Sequence, residues 1–126
     1  MSLMSIRLGV NDLAKSTAFY DATFAALGID DARVAMDAPV SIYRLPGGIM
    51  FMLGSPRDGQ AASHGNGDTF GFSAQDQAMV SAWHAAGIAN GGSDEGGPGP
   101  REAAGGRHGA YLRDPDGHKL CAYAAG

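Results

Sequence analysis

The feature that most restricts how this chain can fold is its division into two similar halves. Each opens on a short alternation of apolar and polar residues, passes through a capped helical stripe and ends in further strands. In the first half Ile6, Leu8 and Val10 share one face and Ser5, Arg7 and Gly9 the other, the period of two of a half-buried strand. Asn11-Asp12 offers an N-cap. Leu13, Ser16, Thr17, Tyr20, Phe24 and Leu27 then recur at helical spacing up to Gly28, which stands where a helix should end. In the second half Phe70, Phe72 and Ala74 alternate with Thr69, Gly71 and Ser73. Asp76 is the cap, Met79, Val80 and Trp83 form the stripe, and Gly87 is the expected stop. The two helix-ending glycines lie nearly half the chain apart, which implies two copies of one βαβββ unit.

The remaining strands are expected around Asp31–Met36, at Val40–Leu45, after the turn 46-PGG-48 at Ile49–Leu53, and in a closing hairpin, 110-AYLRDPDGHKLCAY-123. In that hairpin Pro115 presets the turn, Asp116 bonds back to the chain and Gly117 takes the left-handed conformation, which fixes the register of the strand after it. The polar stretch 55–68 reads as a surface linker between modules at about 4–55 and 69–126. The stretch 91-GGSDEGGPGPREAAGG-106 reads as a long loop with at most a short strand in it.

A chain of 126 residues is one domain by length, with room for a hydrophobic core. Its net charge of −4 and the lack of a basic stripe argue against a nucleic-acid partner. No apolar run is long enough to span a membrane. A single cysteine, Cys121, cannot form an internal disulfide, so a cytoplasmic protein is the expectation.

Two stretches carry a resemblance. The segment 9-GVNDLAKSTAFYDATFAALG-28, with its S-x-x-F-Y pattern, joined to 109-GAYLRDPDGHKL-120 resembles the vicinal oxygen chelate superfamily, which includes glyoxalase I, extradiol dioxygenases and the fosfomycin and bleomycin resistance proteins. The resemblance runs from Ile6 to Tyr123 and implies an α+β fold. Two βαβββ modules would form a curved mixed sheet around a cup, usually holding a metal, in a homodimer. It also implies where metal ligands would lie: on the first strand, the fourth, the first strand of the second module and the last. Those places hold Ser5, Phe51 or Met52, Thr69 and Cys121. None is a His, Glu, Asp or Gln, the donors that hard divalent ions prefer. No metal and no other cofactor is therefore expected.

Strand parity gives the lining of the cup in place of a metal. Ser5, Arg7, Met52, Thr69, Tyr111, Cys121 and Tyr123 are expected to face the ligand, with Lys119 and Arg113 on the same side and His108 entering beside the glycine-rich loop. Arg7 offers a planar fork for a carboxylate or phosphate, so a small organic, anionic ligand is expected. Cys121 reads as a buried apolar residue, as a nucleophile activated by Arg7 or His108, or as a soft metal ligand beside Met52. His64 and His84 read as solvated or partly packed, and His118 as bonded to the turn. The function expected is a metal-independent, glyoxalase-like or bleomycin-resistance-like binding protein. The alternative is a lyase, isomerase or dioxygenase-type enzyme with an atypical site, in which Arg7, Tyr111 or His108 would do acid and base work.

Overall fold

The structure is a computed structural model that describes residues 1–37 and 39–125, with the backbone alone for residues 35–37. The elements run β1 (Ser5–Gly9), α1 (Leu13–Ala26), β2 (Arg33–Asp37), β3 (Val40–Leu45), β4 (Ile49–Gly54), β5 (Phe70–Ala74), α2 (Gln77–Ala89), β6 (Ser93–Pro100), β7 (His108–Arg113) and β8 (Lys119–Ala124). They form two four-stranded mixed sheets of identical plan, β1-β4-β3-β2 and β5-β8-β7-β6. In each, the first strand pairs parallel with the last and the others pair antiparallel. This is the α+β architecture of two βαβββ units, with one face of each sheet under its helix and the other free of it.

Both helices start as the caps require. The Asp12 carboxylate accepts from the Lys15 amide at 3.1 Å, and the Asp76 carboxylate from the Met79 amide at 2.9 Å. Gly28, at φ 76°, follows the C-cap of α1, as expected. Gly87 does not end α2. The helix continues to Ala89, and Gly91, at φ 93°, takes the terminal role. Gly87 serves packing instead, because a side chain there would overlap Leu112 of β7. A second expectation also fails: half of 91–106 is the eight-residue edge strand β6, paired with β7 through register shifts at Asp94/Gly96 and Gly96/Gly99. Its glycines and prolines disguise it, since both residues are tolerated at edges and bulges.

Between the first sheet and α1 lies a ring cluster. Tyr20 and Phe51 are 5.0 Å apart between centroids, Phe24 and Phe51 5.3 Å, and Phe24 and Tyr43 5.1 Å. Phe72 of β5 joins it at 5.7 Å from Phe24, so one core runs through both halves. The D-P-D-G turn between β7 and β8 does more than set register. Asp114 accepts from the Tyr20 hydroxyl at 2.6 Å, and Asp116 accepts from the Asn11 amide and the Ser16 hydroxyl, each at 2.9 Å. The His118 ring donates through Nε2 to the Gly9 carbonyl at 2.8 Å. Thus the second half is fastened to the start of α1 in the first.

Candidate functional site

Strand pairing decides which side chains share the helix-free faces. In the first sheet Ser5 is opposite Met50 and Arg7 opposite Met52. Phe51 is fully buried in the ring cluster on the other face. Of the two residues expected at this place, Met52 is therefore the one beside Arg7, because a one-residue step along a strand reverses the side chain. Arg7 is exposed, and its guanidinium donates to the Ser55 carbonyl at 3.0 Å.

In the second sheet Cys121 is opposite both Gly71 and Tyr111, and Tyr123 is opposite Ser73 and Gly109. The Tyr111 and Tyr123 rings meet edge to face at 5.9 Å, and their hydroxyls are 2.7 Å apart. Gly109 must be bare for this, since a side chain there would overlap the Tyr123 ring. Three cations stand over the pair: Lys119 Nζ at 5.3 Å and the Arg101 guanidinium at 5.8 Å from the centre of Tyr111, and the Arg107 guanidinium at 5.5 Å from Tyr123. Such placement is favourable through the ring quadrupole and holds the cations on the face. Among the described residues none of the three has an ion-pair partner; Arg101 donates to the Gly97 and Pro100 carbonyls and Arg107 to that of Ala104. Arg113, by contrast, is bound to Glu95 at 3.1 Å and to the Gly117 carbonyl, not to the turn carboxylates.

Two groups that could do acid or base work keep their protons. The hydrogen bond to Tyr123, followed by burial, raises the Tyr111 hydroxyl to about 12. Burial pushes the Cys121 thiol up, against the opposing pull of Lys119 and of a hydrogen bond with Tyr111. At 8% exposure, under the tyrosines, this cysteine is packed as a small apolar side chain.

Other expected site residues lie elsewhere. Thr69 precedes β5 and is exposed. His108 shares parity with Ala110 and Leu112, on the helix side. It lines a cavity of about 440 Å³ with Asp76 and Arg107, and its Nε2 is buried with no hydrogen-bond partner among the described residues. The structure thus brings together Tyr111, Cys121 and Tyr123, and separately Arg7 and Met52, but not His108. Arg101 was missed in the sequence because it lies in the stretch read as a loop, and Arg107 because it directly follows that stretch; a guanidinium stacked on a ring leaves no periodic signal.

The residues present do not fit the metal that the superfamily resemblance implies. Around Ser5, Met52, Thr69 and Cys121 there is no imidazole or carboxylate set, and among the described residues no group of three His, Cys, Asp or Glu side chains could hold an ion.

Comparison with known proteins agrees with the fold. The sequence profile of the Glyoxalase/Bleomycin resistance protein/Dioxygenase superfamily matches residues 2–122. The chain belongs to this superfamily. A glyoxalase/bleomycin resistance protein from Albidiferax ferrireducens T118 is 47% identical, with a TM-score of 0.87 and 98% of each chain covered. Two less similar proteins of like fold are a glyoxalase-related enzyme from Fulvimarina pelagi, at 20% identity and TM-score 0.81 over 99% of this chain and 88% of that one, and a fosfomycin resistance protein from Mesorhizobium loti, at 21% and 0.68 over 100% and 92%. No curated protein matches the chain. Within the glyoxalase superfamily, then, this member keeps the paired βαβββ scaffold and carries a cation-covered tyrosine pair on its second sheet. No described helix is long and apolar enough to cross a membrane.

Proposed function

We propose that the protein is a metal-independent binder of a small organic anion, held against the helix-free face of the second sheet. The observation that carries this is the group Arg101, Arg107 and Lys119, stacked on Tyr111 and Tyr123 and, among the described residues, in no ion pair, in a protein of net charge −4. Positive charge concentrated on one face of an acidic protein attracts an anion and raises its local concentration. The two hydroxyls at 2.7 Å share one hydrogen, which leaves the other free to donate to a ligand oxygen. Binding rather than conversion is supported by the protonated Tyr111 and Cys121, which offer a donor and an apolar floor, not a base and a nucleophile.

A homodimer goes with this proposal. Ile42, Met50 and Met52 stand half-buried on the first sheet's helix-free face, a surface that a second copy would cover. A cytoplasmic setting is proposed as well, on the single free thiol.

The test is a melting-temperature screen of chelator-dialysed protein against carboxylates, phosphate esters and their neutral amides. Acids are expected to raise the midpoint and amides to leave it alone. Lys119→Met and Arg101→Met should each weaken the response about tenfold in apparent affinity, the scale of one charge-assisted hydrogen bond. Equal responses to acids and amides, or a response that appears only on adding a divalent metal, would refute the proposal.

A further inference from the structure

Lys119 belongs to two places at once. It stands over Tyr111 at 5.3 Å, and it also lines a cleft of about 280 Å³ where the end of β1 meets the starts of β5 and β8. The cleft is walled by Arg7 from the first half, Lys119 and His118 from the second, and Ser63, His64 and Asp68 from the chain between them. Its two permanent cations face one carboxylate, and no ion pair joins them among the described residues. The Asp68 carboxylate is folded over the bare backbone of Gly65 in its own loop, where a side chain would overlap it. His118 is already spent on the Gly9 carbonyl. Arg7 gives one hydrogen to Ser55, and a guanidinium has four more in a planar fork.

From this arrangement we infer that the ligand is an elongated dianion. One acid group lies on the tyrosine wall under Arg101 and Arg107, and the other enters the cleft at Arg7, with Lys119 between them. This rests on the anion-binding proposal and adds to it: the cations of the wall hold one end, and Arg7 reads the other. The chemical class is a short-chain dicarboxylate, or a carboxylate that also carries a phosphate. Arg7 thereby becomes a specificity-determining residue, contributed by the half of the chain that does not carry the Tyr111–Tyr123 pair.

Calorimetric titration of the full chain, dialysed against chelator, tests this with butyrate, malonate, succinate and adipate. One of the diacids is expected to bind at least about tenfold more tightly than butyrate, the value of one added charge-assisted contact. Arg7→Met should collapse the ratio of diacid to monoacid affinity to about one, and Arg7→Lys should restore part of it, since the charge returns without the fork. Arg7 is exposed, so neither variant disturbs the core. If diacids and butyrate bind alike, or if Arg7→Met leaves the diacid advantage in place, the dianion inference is overturned while the proposal for a simple anion stands. If none of the four acids binds, both fall together.

Discussion

The space between sheet and helix is filled in opposite ways in the two halves. In the first it holds Tyr20, Phe24, Tyr43 and Phe51, all at 0–1% exposure, with a hydroxyl pair at 2.8 Å between Thr17 and Ser41 and a bond from Tyr43 to Asp21 at 2.9 Å. In the second, the sheet offers Ala110, Leu112, Leu120 and Ala122 to α2, whose Trp83 is buried at 1% exposure, and the packing is so close that Gly87 has no room for a side chain. The helix-free faces are reversed. The first presents Met50, Met52 and Ile42 with Arg7; the second presents the tyrosines, the thiol and three cations. Identical topology has been put to two uses on the helix-free faces, a largely apolar surface in one half and polar chemistry in the other.

Substitutions should break this contrast with unequal force. Phe51→Ala, which removes a ring from the centre of the cluster, is expected to cost about 3–5 kcal/mol in chemical denaturation. In the second half the damage comes from adding volume. Gly87→Val should lose about 1–3 kcal/mol by driving Leu112 off its seat, and a variant as stable as the parent would mean that α2 is free to move away. Tyr20→Phe strips the hydroxyl from buried Asp114 across the joint between the halves, for roughly 1–3 kcal/mol.

Asp114 gives that joint a pH signature. Burial raises its carboxyl above the ordinary range, against the pull of Tyr20 and His118. A raised folded-state pKa means that the native protein holds this proton more tightly than the unfolded chain does. The resulting stability is complete below the unfolded value of about 3.9 and is lost as pH rises through the folded one. Asp114→Asn cannot ionise, so its melting temperature should vary less with pH from about pH 4 upward. An unchanged slope would place the carboxylate's titration elsewhere.

How far the sequence could be read follows the same division. The strands and helix of the first half announce themselves, because Ile6, Leu8 and Val10 alternate and Tyr20 and Phe24 keep helical spacing. In the second half Gly87 imitated a helix stop, since sequence cannot tell a glycine that turns the chain from one that admits a neighbour. The strand β6 was hidden by glycine and proline, which an edge tolerates and propensity penalises. Strand parity placed Tyr111, Cys121 and Tyr123 on one face, but it could not exclude Thr69, which lies one residue outside β5, and His108, named for its place beside the glycine-rich loop rather than by parity, shares the side of Ala110 and Leu112. The clasp made by Asp114 and Asp116 joins residues about a hundred positions apart. No local pattern reveals such a pairing.

The smallest effects should come from the polar face itself. Lys119→Met lies outside the core and is expected to change stability by no more than about 0.5 kcal/mol, so a loss of ligand response in that variant reports binding alone. Exhaustive chelation should leave the melting temperature where it was.

The most direct test of a metal-free anion site on the second half is an amide chemical-shift titration of chelator-treated protein with succinate. Shifts are expected in β7, β8 and the 101–107 segment, together with Arg7, and without any added metal. Shifts confined to other surfaces, or none until a divalent ion is supplied, would contradict the account.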